Sequence, residues 1–262
     1  MARTTLYAFN AAVFGFLLAP VAVVLIISFS SANYLQFPPP GFSLQWYENY
    51  FTSDRWIVAT WASVQVAVAT TVLATLLGTT SALALNRWYF PGRQLLFTFL
   101  VSPMIVPVMI IAMALYAAFA PLRLVGTLPG LVLGHTILAY PYVLINVMAP
   151  LYGLDERLEQ AAMSLGANGW NTFRTVTLPL ILPGVLSGAI FAFSVSWDEV
   201  VIAIFLSGLR TTTLPKQMWD GVRTEIDPTI AAVASILIVI SCLGLLVQLL
   251  AGQRGGEEVA AE

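Results

Sequence analysis

The sequence predicts an all-α integral membrane protein of six transmembrane helices. Three observations carry this. First, 59% of the 262 residues are apolar and only 9% are charged, a balance outside the range of ordinary soluble domains. Second, a helix needs about 20 residues to cross a roughly 30 Å hydrocarbon core, and six stretches of that order are almost free of charge. Third, the segments between them are rich in proline, glycine and the few charges present.

The spans are expected at 7–29, 57–85, 95–119, 130–150, 183–206 and 228–250, within a single domain covering 1–254. The first is longer than the apolar core of a cleaved signal peptide and is read as an uncleaved anchor, although Arg3 before it and small residues after it leave the signal reading open. Pro103 and Pro107 interrupt the third. The fourth contains His135 as its one titratable group other than tyrosine. The fifth is apolar except for the adjacent acids Asp198 and Glu199. Between the first two spans, Phe37 to Gly41 forms a proline-rich turn, and Trp46, Tyr47, Tyr50 and Phe51 suit a membrane interface. The tail 255–262 is expected to be a short disordered terminus.

Composition also excludes function classes. Eleven basic and thirteen acidic residues give a formal charge of −2, so no broad basic face exists for nucleic acid. One cysteine, Cys242, and one histidine, His135, leave no set of ligands for zinc or an iron–sulfur centre. The single lysine, Lys216, is followed by Gln217, so no G-x-x-x-x-G-K-[ST] phosphate loop can occur. An intramembrane enzyme would need a nucleophile and a base; H-E-x-x-H is absent, and Gly184-Val185-Leu186-Ser187-Gly188 misses G-x-S-x-G by one position. A stand-alone channel or secondary transporter has no filter motif or clear internal repeat to support it. Six spans put both termini on one side. With that side cytoplasmic, the inner segments carry Arg3, Arg87, Arg93, Arg157, Arg174 and Arg254, against Arg55, Arg123, Arg210, Lys216 and Arg223 outside. The positive-inside rule is too evenly balanced to orient the chain.

The segment 151–182 is amphipathic without being apolar enough to cross. Leu151, Leu154, Leu158, Ala161 or Ala162, and Leu165 recur at helical spacing, with Asp155, Glu156, Arg157 and Glu159 between them. Gly166 ends this helix, Asn168 caps a second short one carrying Trp170, Phe173 and Val176, and Pro179 and Pro183 stop or kink the chain before the fifth span. Two readings stand on the residues alone: a docking knob, or an interfacial helix on lipid.

Within it, Gln160-Ala161-Ala162, three residues, Gly166, nine residues, then Val176-Thr177-Leu178-Pro179 resembles the EAA loop of binding-protein-dependent ABC importer permeases, E-A-A-x3-G-x9-I-x-L-P. The leading Glu of that pattern is Gln160 here, with Glu159 immediately before it. The resemblance implies a type I ABC importer permease fold whose cytoplasmic loop lays a coupling helix into a groove on an ATP-hydrolysing subunit. Glu159, Gln160, Ala161, Ala162, Gly166, Phe173, Leu178 and Pro179 would form that docking loop. It also orients the chain, with both termini cytoplasmic in a bacterial inner membrane. The stretch 196–201, then Ser207-Gly208, Thr213-Leu214-Pro215 and Asp227-Pro228, is similar to the second permease subunit of spermidine/putrescine importers. Implied partners are two ATP-binding cassette subunits, a second permease (a different chain rather than a copy), a periplasmic or lipid-anchored solute-binding protein and the bilayer. The permease itself is non-catalytic and holds no cofactor; ATP and Mg belong to the ATPase. Ferric iron, a basic amino acid or another amine remain alternative solutes.

The acidic pair is the candidate substrate site. A carboxylate at mid-membrane costs on the order of 2.5–3.5 kcal/mol on insertion scales, so these two are expected to face a cavity, a partner or the outer mouth. Helix residues point about 100° apart, which puts Ser187, Phe191, Ser194, Asp198 and Phe205 near one stripe and Glu199 off it. Trp197 and the phenylalanines offer apolar and cation–π partners for an alkyl-ammonium. Tyr142 and Asn146, on the preceding span, are expected to reach the same pathway. His135 is expected to be packed and hydrogen-bonded rather than a pore residue.

Overall fold

The computed structural model describes residues 2–224 and 227–242. Among them the chain is helical throughout: α1 (Ala2–Ile27), α2 (Gln45–Thr52), α3 (Asp54–Arg87), α4 (Arg93–Val101), α5 (Val108–Phe119), α6 (Leu128–Tyr152), α7 (Glu156–Ser164), α8 (Gly169–Thr172), α9 (Leu178–Asp198), α10 (Val201–Leu206), α11 (Leu214–Thr224) and α12 (Thr229–Cys242). The expected tail 255–262 and the last third of the expected sixth span, 243–250, lie outside the described residues. Four helical stretches are long and apolar enough to cross a membrane, and α4 with α5 makes a fifth if the bent pair is one span.

Two of the expected spans are reshaped. The third is broken: α4 and α5 meet at 102° across a 3-10 turn at Ser102–Met104. Pro107 explains the break, since it lacks an N–H and disfavours helical geometry at Val106 before it, while its own fixed φ suits the position just ahead of α5. At nine and twelve residues, neither half alone spans a hydrocarbon core. The fifth begins earlier and ends earlier than expected. Pro179 sits in the first turn of α9, where no N–H partner is lost, so it starts the helix rather than stopping the chain, and Pro183 is carried inside it. The helix ends at Asp198, and α10 is a separate segment. Phe205 therefore leaves the stripe and packs half-buried against Ala112, Leu131 and Ile202.

The chain divides into two compact units, Val58–Gln217 and the remainder. The larger unit is built on α6, whose contact with α9 is the most extensive among the described elements. Val143 marks its centre: a Cβ on Gly78 of α3 would lie 2.7 Å from the Val143 side chain, and one on Gly188 of α9 would lie 3.0 Å from its Cα. With lipid on the outside there is no hydrophobic drive between helices, so close backbone approach through small residues supplies the packing. Around this point Ala74, Ala139, Leu144, Val147, Ile181 and Ala192 form one core cluster. His135 is 1% exposed and its Nδ1 lies 2.9 Å from Ser196 Oγ, a polar tie between α6 and α9. At one end of the unit, Gly126 N–H donates to Leu206 carbonyl at 2.8 Å and Thr211 Oγ1 donates to Gly126 carbonyl at 3.2 Å. Gly126 has φ +78° and its Cα would lie 2.9 Å from a Cβ on Gly208, so both positions require glycine.

In the smaller unit, α1 keeps Phe9, Phe14, Phe16, Leu17 and Leu18 exposed, as a helix facing lipid does. The segment after it folds back through a bridge between Ser30 and Phe42 and a 2.8 Å hydrogen bond between Ser28 Oγ and Tyr47 hydroxyl. Asn49 Nδ2 donates to Thr229 Oγ1 at 2.7 Å, and Arg55 pairs with Asp227 at 3.5 Å, joining α2 and the first turn of α3 to α12.

Candidate functional site

Two separate sites emerge in the larger unit. The first is the segment between α6 and α9. Asp155 caps α7, its Oδ1 accepting from Arg157 N–H at 2.9 Å. Gly166 closes the helix at φ +95°, with Ala167 N–H bonded to Ala162 carbonyl at 3.1 Å and Gly166 N–H to Met163 carbonyl at 3.0 Å. This is a Schellman motif, and it needs the left-handed conformation that glycine supplies. Asn168 Oδ1 accepts from Asn171 N–H at 2.8 Å and starts α8. Phe173–Thr177 then winds as a wider π-helical turn into α9. The two-helix knob with a glycine joint is thus present, and its apolar side chains face outward: Leu165 is 91% exposed, Trp170 67%, and Leu158 and Met163 49% each. Gln160 and Ala161 are exposed beside them, Ala162 and Phe173 half-buried, and Leu178 and Pro179 form the first turn of α9.

Glu159 points the other way. Its Oε1 accepts hydrogen bonds from Arg87 Nη2, at the last residue of α3, and from Thr177 Oγ1, just ahead of α9. Arg87 Nη2 also approaches Thr177 Oγ1 at 3.2 Å. Sequence reading missed Arg87 as part of this site and met Thr177 only as a motif position, without its contact to Glu159. Arg87 lies 72 residues from Glu159 and only the packing of α3 against the loop brings it there, whereas Thr177, 18 residues on, returns to Glu159 through the fold of the loop itself. An open cleft of about 230 Å³ beside this contact is lined by Asn86, Arg87, Leu154, Glu156, Glu159, Gln160 and Met163.

The second site runs along one face of α9. Ser187, Phe191, Ser194 and Asp198 follow one another at helical spacing, with Phe191, Ser194 and Asp198 exposed. Tyr142 stacks on Phe191 at 6.2 Å and 15°, and Ser187 Oγ donates to Asn146 Oδ1 at 3.1 Å. Asn146 in turn donates from Nδ2 to Tyr142 carbonyl at 2.8 Å. Tyr142 and Asn146 of α6 therefore lie beside Phe191 and Ser187 of α9. One turn further, Phe193 and Trp197 stack at 5.7 Å and 13°.

The acidic pair is split by the end of α9. Asp198 is its last residue, exposed, and makes no ion pair among the described residues. The unbonded carbonyls of that last turn add partial negative charge to its carboxylate. Glu199 is extended and half-buried, and its Oε1 accepts from Ile202 N–H at 2.8 Å, capping α10. One acid is thus left for a ligand while its neighbour is engaged by the backbone. Chemically, an acidic helix terminus on a helix that carries aromatic pairs suits a cation with an alkyl body. Among the described residues no group of three His, Cys, Asp or Glu side chains is arranged to hold a metal ion.

Comparison with known proteins agrees with this layout. Residues 74–254 match the family described as binding-protein-dependent transport system inner membrane component. The chain is 35% identical over 234 residues to the spermidine/putrescine transport system permease protein PotC of Haemophilus influenzae, covering 89% of this chain and 91% of that one. It is 33% identical over 232 residues to the putrescine transport system permease protein PotI of Escherichia coli, covering 86% and 82%. Its fold matches a chain in the crystal structure of a bacterial ABC transporter involved in import of the acidic polysaccharide alginate, with a TM-score of 0.72 over 97% of each chain at 16% identity. The chain belongs to the binding-protein-dependent transport system inner membrane component family and is a permease subunit of an ABC importer.

Proposed function

We propose that this permease imports polyamines, and that Asp198 and the aromatic side chains around it form the cation's path. The observation that carries the reading is the exposed carboxylate at the negative end of α9, directly after the Phe193–Trp197 stack in the chain and about two helical turns beyond the Tyr142–Phe191 stack on its own face. Ammonium groups find charge and π faces there, and methylenes find rings. The names of the relatives PotC and PotI support the same solute class. Ser194, Asn146 and Glu199 complete the proposed pathway, Glu199 by holding the start of α10 in place.

The chain acts without catalysis of its own. Two ATP-binding cassette subunits bind ATP and Mg and receive the knob formed by Gln160, Ala161, Ala162, Gly166, Phe173, Leu178 and Pro179, with Glu159 on its inner side. A second, different permease closes the other side of the pathway, and a periplasmic or lipid-anchored binding protein delivers the solute. The knob and both termini face the cytoplasm of a bacterial inner membrane. ATP-driven closure of the cassettes pushes the knob, and differential contact with the two cassette states shifts the permease between inward and outward openings. Proteoliposomes holding the two permeases and the cassettes, supplied with binding protein and radiolabelled putrescine or spermidine, test this. Uptake that requires ATP and every component is expected; gradient-driven flux through this chain alone would refute it. Direct binding measurements on the partner binding protein separate polyamines from ferric iron or another amine.

A further inference from the structure

We propose that Glu159, held by Arg87 and Thr177, is a positioning residue that makes α7, the end of α3 and the start of α9 move as one body, so that a push on the knob reaches two membrane helices at once. The inference rests on the importer reading and concerns how force leaves the knob, not which solute is carried.

Without such a tie α7 would be poorly anchored. It is nine residues long with no fully buried side chain, too short to be stable alone in water. The chain on both sides of it is jointed, with Gly153 before it and Gly166, at φ +95°, after it. Those joints let a short helix swivel in response to a push. Glu159 is the side chain that crosses from α7 to the membrane helices: it is 15% exposed, against 39% for Arg87, while Thr177 is fully buried. The carboxylate thus reaches α3 through the guanidinium and α9 through a hydroxyl directly ahead of its first turn.

The geometry also separates two jobs within one motif. Gln160, Ala161, Met163 and Leu165 are exposed on the side a partner can reach, whereas Glu159 is turned inward. The acid next to Gln160 therefore serves the permease itself. A charge-assisted contact with two partners fixes direction better than apolar packing of an exposed helix does.

The test uses the whole importer with Cys242→Ser as background and spin labels on cysteines replacing the exposed Thr80 of α3 and Ser164 of α7. Pulsed electron resonance distances are compared between nucleotide-free and vanadate-trapped complexes, with and without Arg87→Gln, and uptake per ATP hydrolysed is measured in parallel. The expected result is one narrow distance in both states for the parent, and a second, shifted distance in the trapped Arg87→Gln complex. Uptake per ATP should fall about five- to tenfold in that variant, the lower range of known coupling effects. The exchange Arg87→Glu with Glu159→Arg should restore both readouts in part, which a purely structural role for Arg87 would not allow. An unchanged distance in Arg87→Gln, or failure of the exchange to recover either readout while the cassettes still co-purify, would overturn the proposal. A parent complex whose α7–α3 distance already changes on trapping would overturn it as well. A parent with no ATP-driven uptake of putrescine or spermidine but one narrow distance in both states would count against the polyamine reading alone.

Discussion

Glu199 Oε1 accepts the backbone N–H of Ile202 at 2.8 Å, three residues further on, while Asp198 beside it makes no ion pair among the described residues. Adjacent carboxylates thus have unlike roles, and their neutral variants should differ in kind. Asp198→Asn should lower ATP-driven putrescine uptake on the order of tenfold with the protein's thermal stability retained, since it removes charge from the pathway and leaves the helix end intact. Glu199→Ala should cost about 1 kcal/mol of stability, the usual loss for a helix cap. Uptake kinetics and thermal unfolding of the two purified variants check this; equal loss of uptake in both would contradict the division of roles.

α3 approaches α6 closely at Gly78, where a Cβ would sit 2.7 Å from Val143. Gly78→Ala should destabilise by about 1–3 kcal/mol through overpacking. At Gly15 in α1 a Cβ would meet nothing within 4 Å, so Gly15→Ala should be neutral or slightly stabilising. Thermal unfolding of the isolated chain in detergent compares them, and a neutral Gly78→Ala would show that the helices separate easily.

Ser196 is the one partner of His135 among the described residues, and His135 Nε2 is already without one. Ser196→Ala should destabilise by about 1–3 kcal/mol because it strands a buried polar ring. The double variant His135→Leu with Ser196→Ala should recover part of that loss, since no polar group is then left unpaired. A double variant less stable than the single one would mean that the ring's shape, not its hydrogen bond, matters there.

The outward face of the knob makes a sharper prediction about partners. Leu165 and Trp170 are 91% and 67% exposed, and a central aromatic or aliphatic anchor commonly dominates an interface. Leu165→Asp should reduce cassette affinity at least about tenfold, read as loss of co-purification. The fold of the isolated permease should be unaffected, as shown by its unfolding temperature. Full co-purification of Leu165→Asp would place the cassette contact elsewhere.

Much of the architecture was legible because hydrophobic runs, prolines and caps act locally. The break around Pro107, the glycine joint at Gly166 and the cap at Asn168 each follow from the chemistry of one residue and its neighbours. The spacing from Gln160 to Pro179 carries the resemblance to the EAA loop. What was misread also has a local cause: Pro179 and Pro183 read as stopping or kinking the chain ahead of the fifth span, yet in the first turn of a helix proline loses no N–H partner, and within a packed membrane helix it is tolerated, so α9 already starts at Leu178. The acidic pair was placed inside a span, and the structure puts it at a helix end, where Glu199 uses its carboxylate on a backbone N–H.

The sequence by itself indicates a membrane chain, holds no G-x-x-x-x-G-K-[ST] phosphate loop, and carries in 151–182 a segment that resembles the docking loop of ABC importer permeases. Those facts depend on composition, on an absent motif and on spacing along the chain. Only the tertiary structure decided that Glu159 turns inward to Arg87 and Thr177, and that Asp198 and Glu199 part company. Both depend on where a helix ends and which distant residue packs against it, and those are set by long-range contacts that no window of sequence contains.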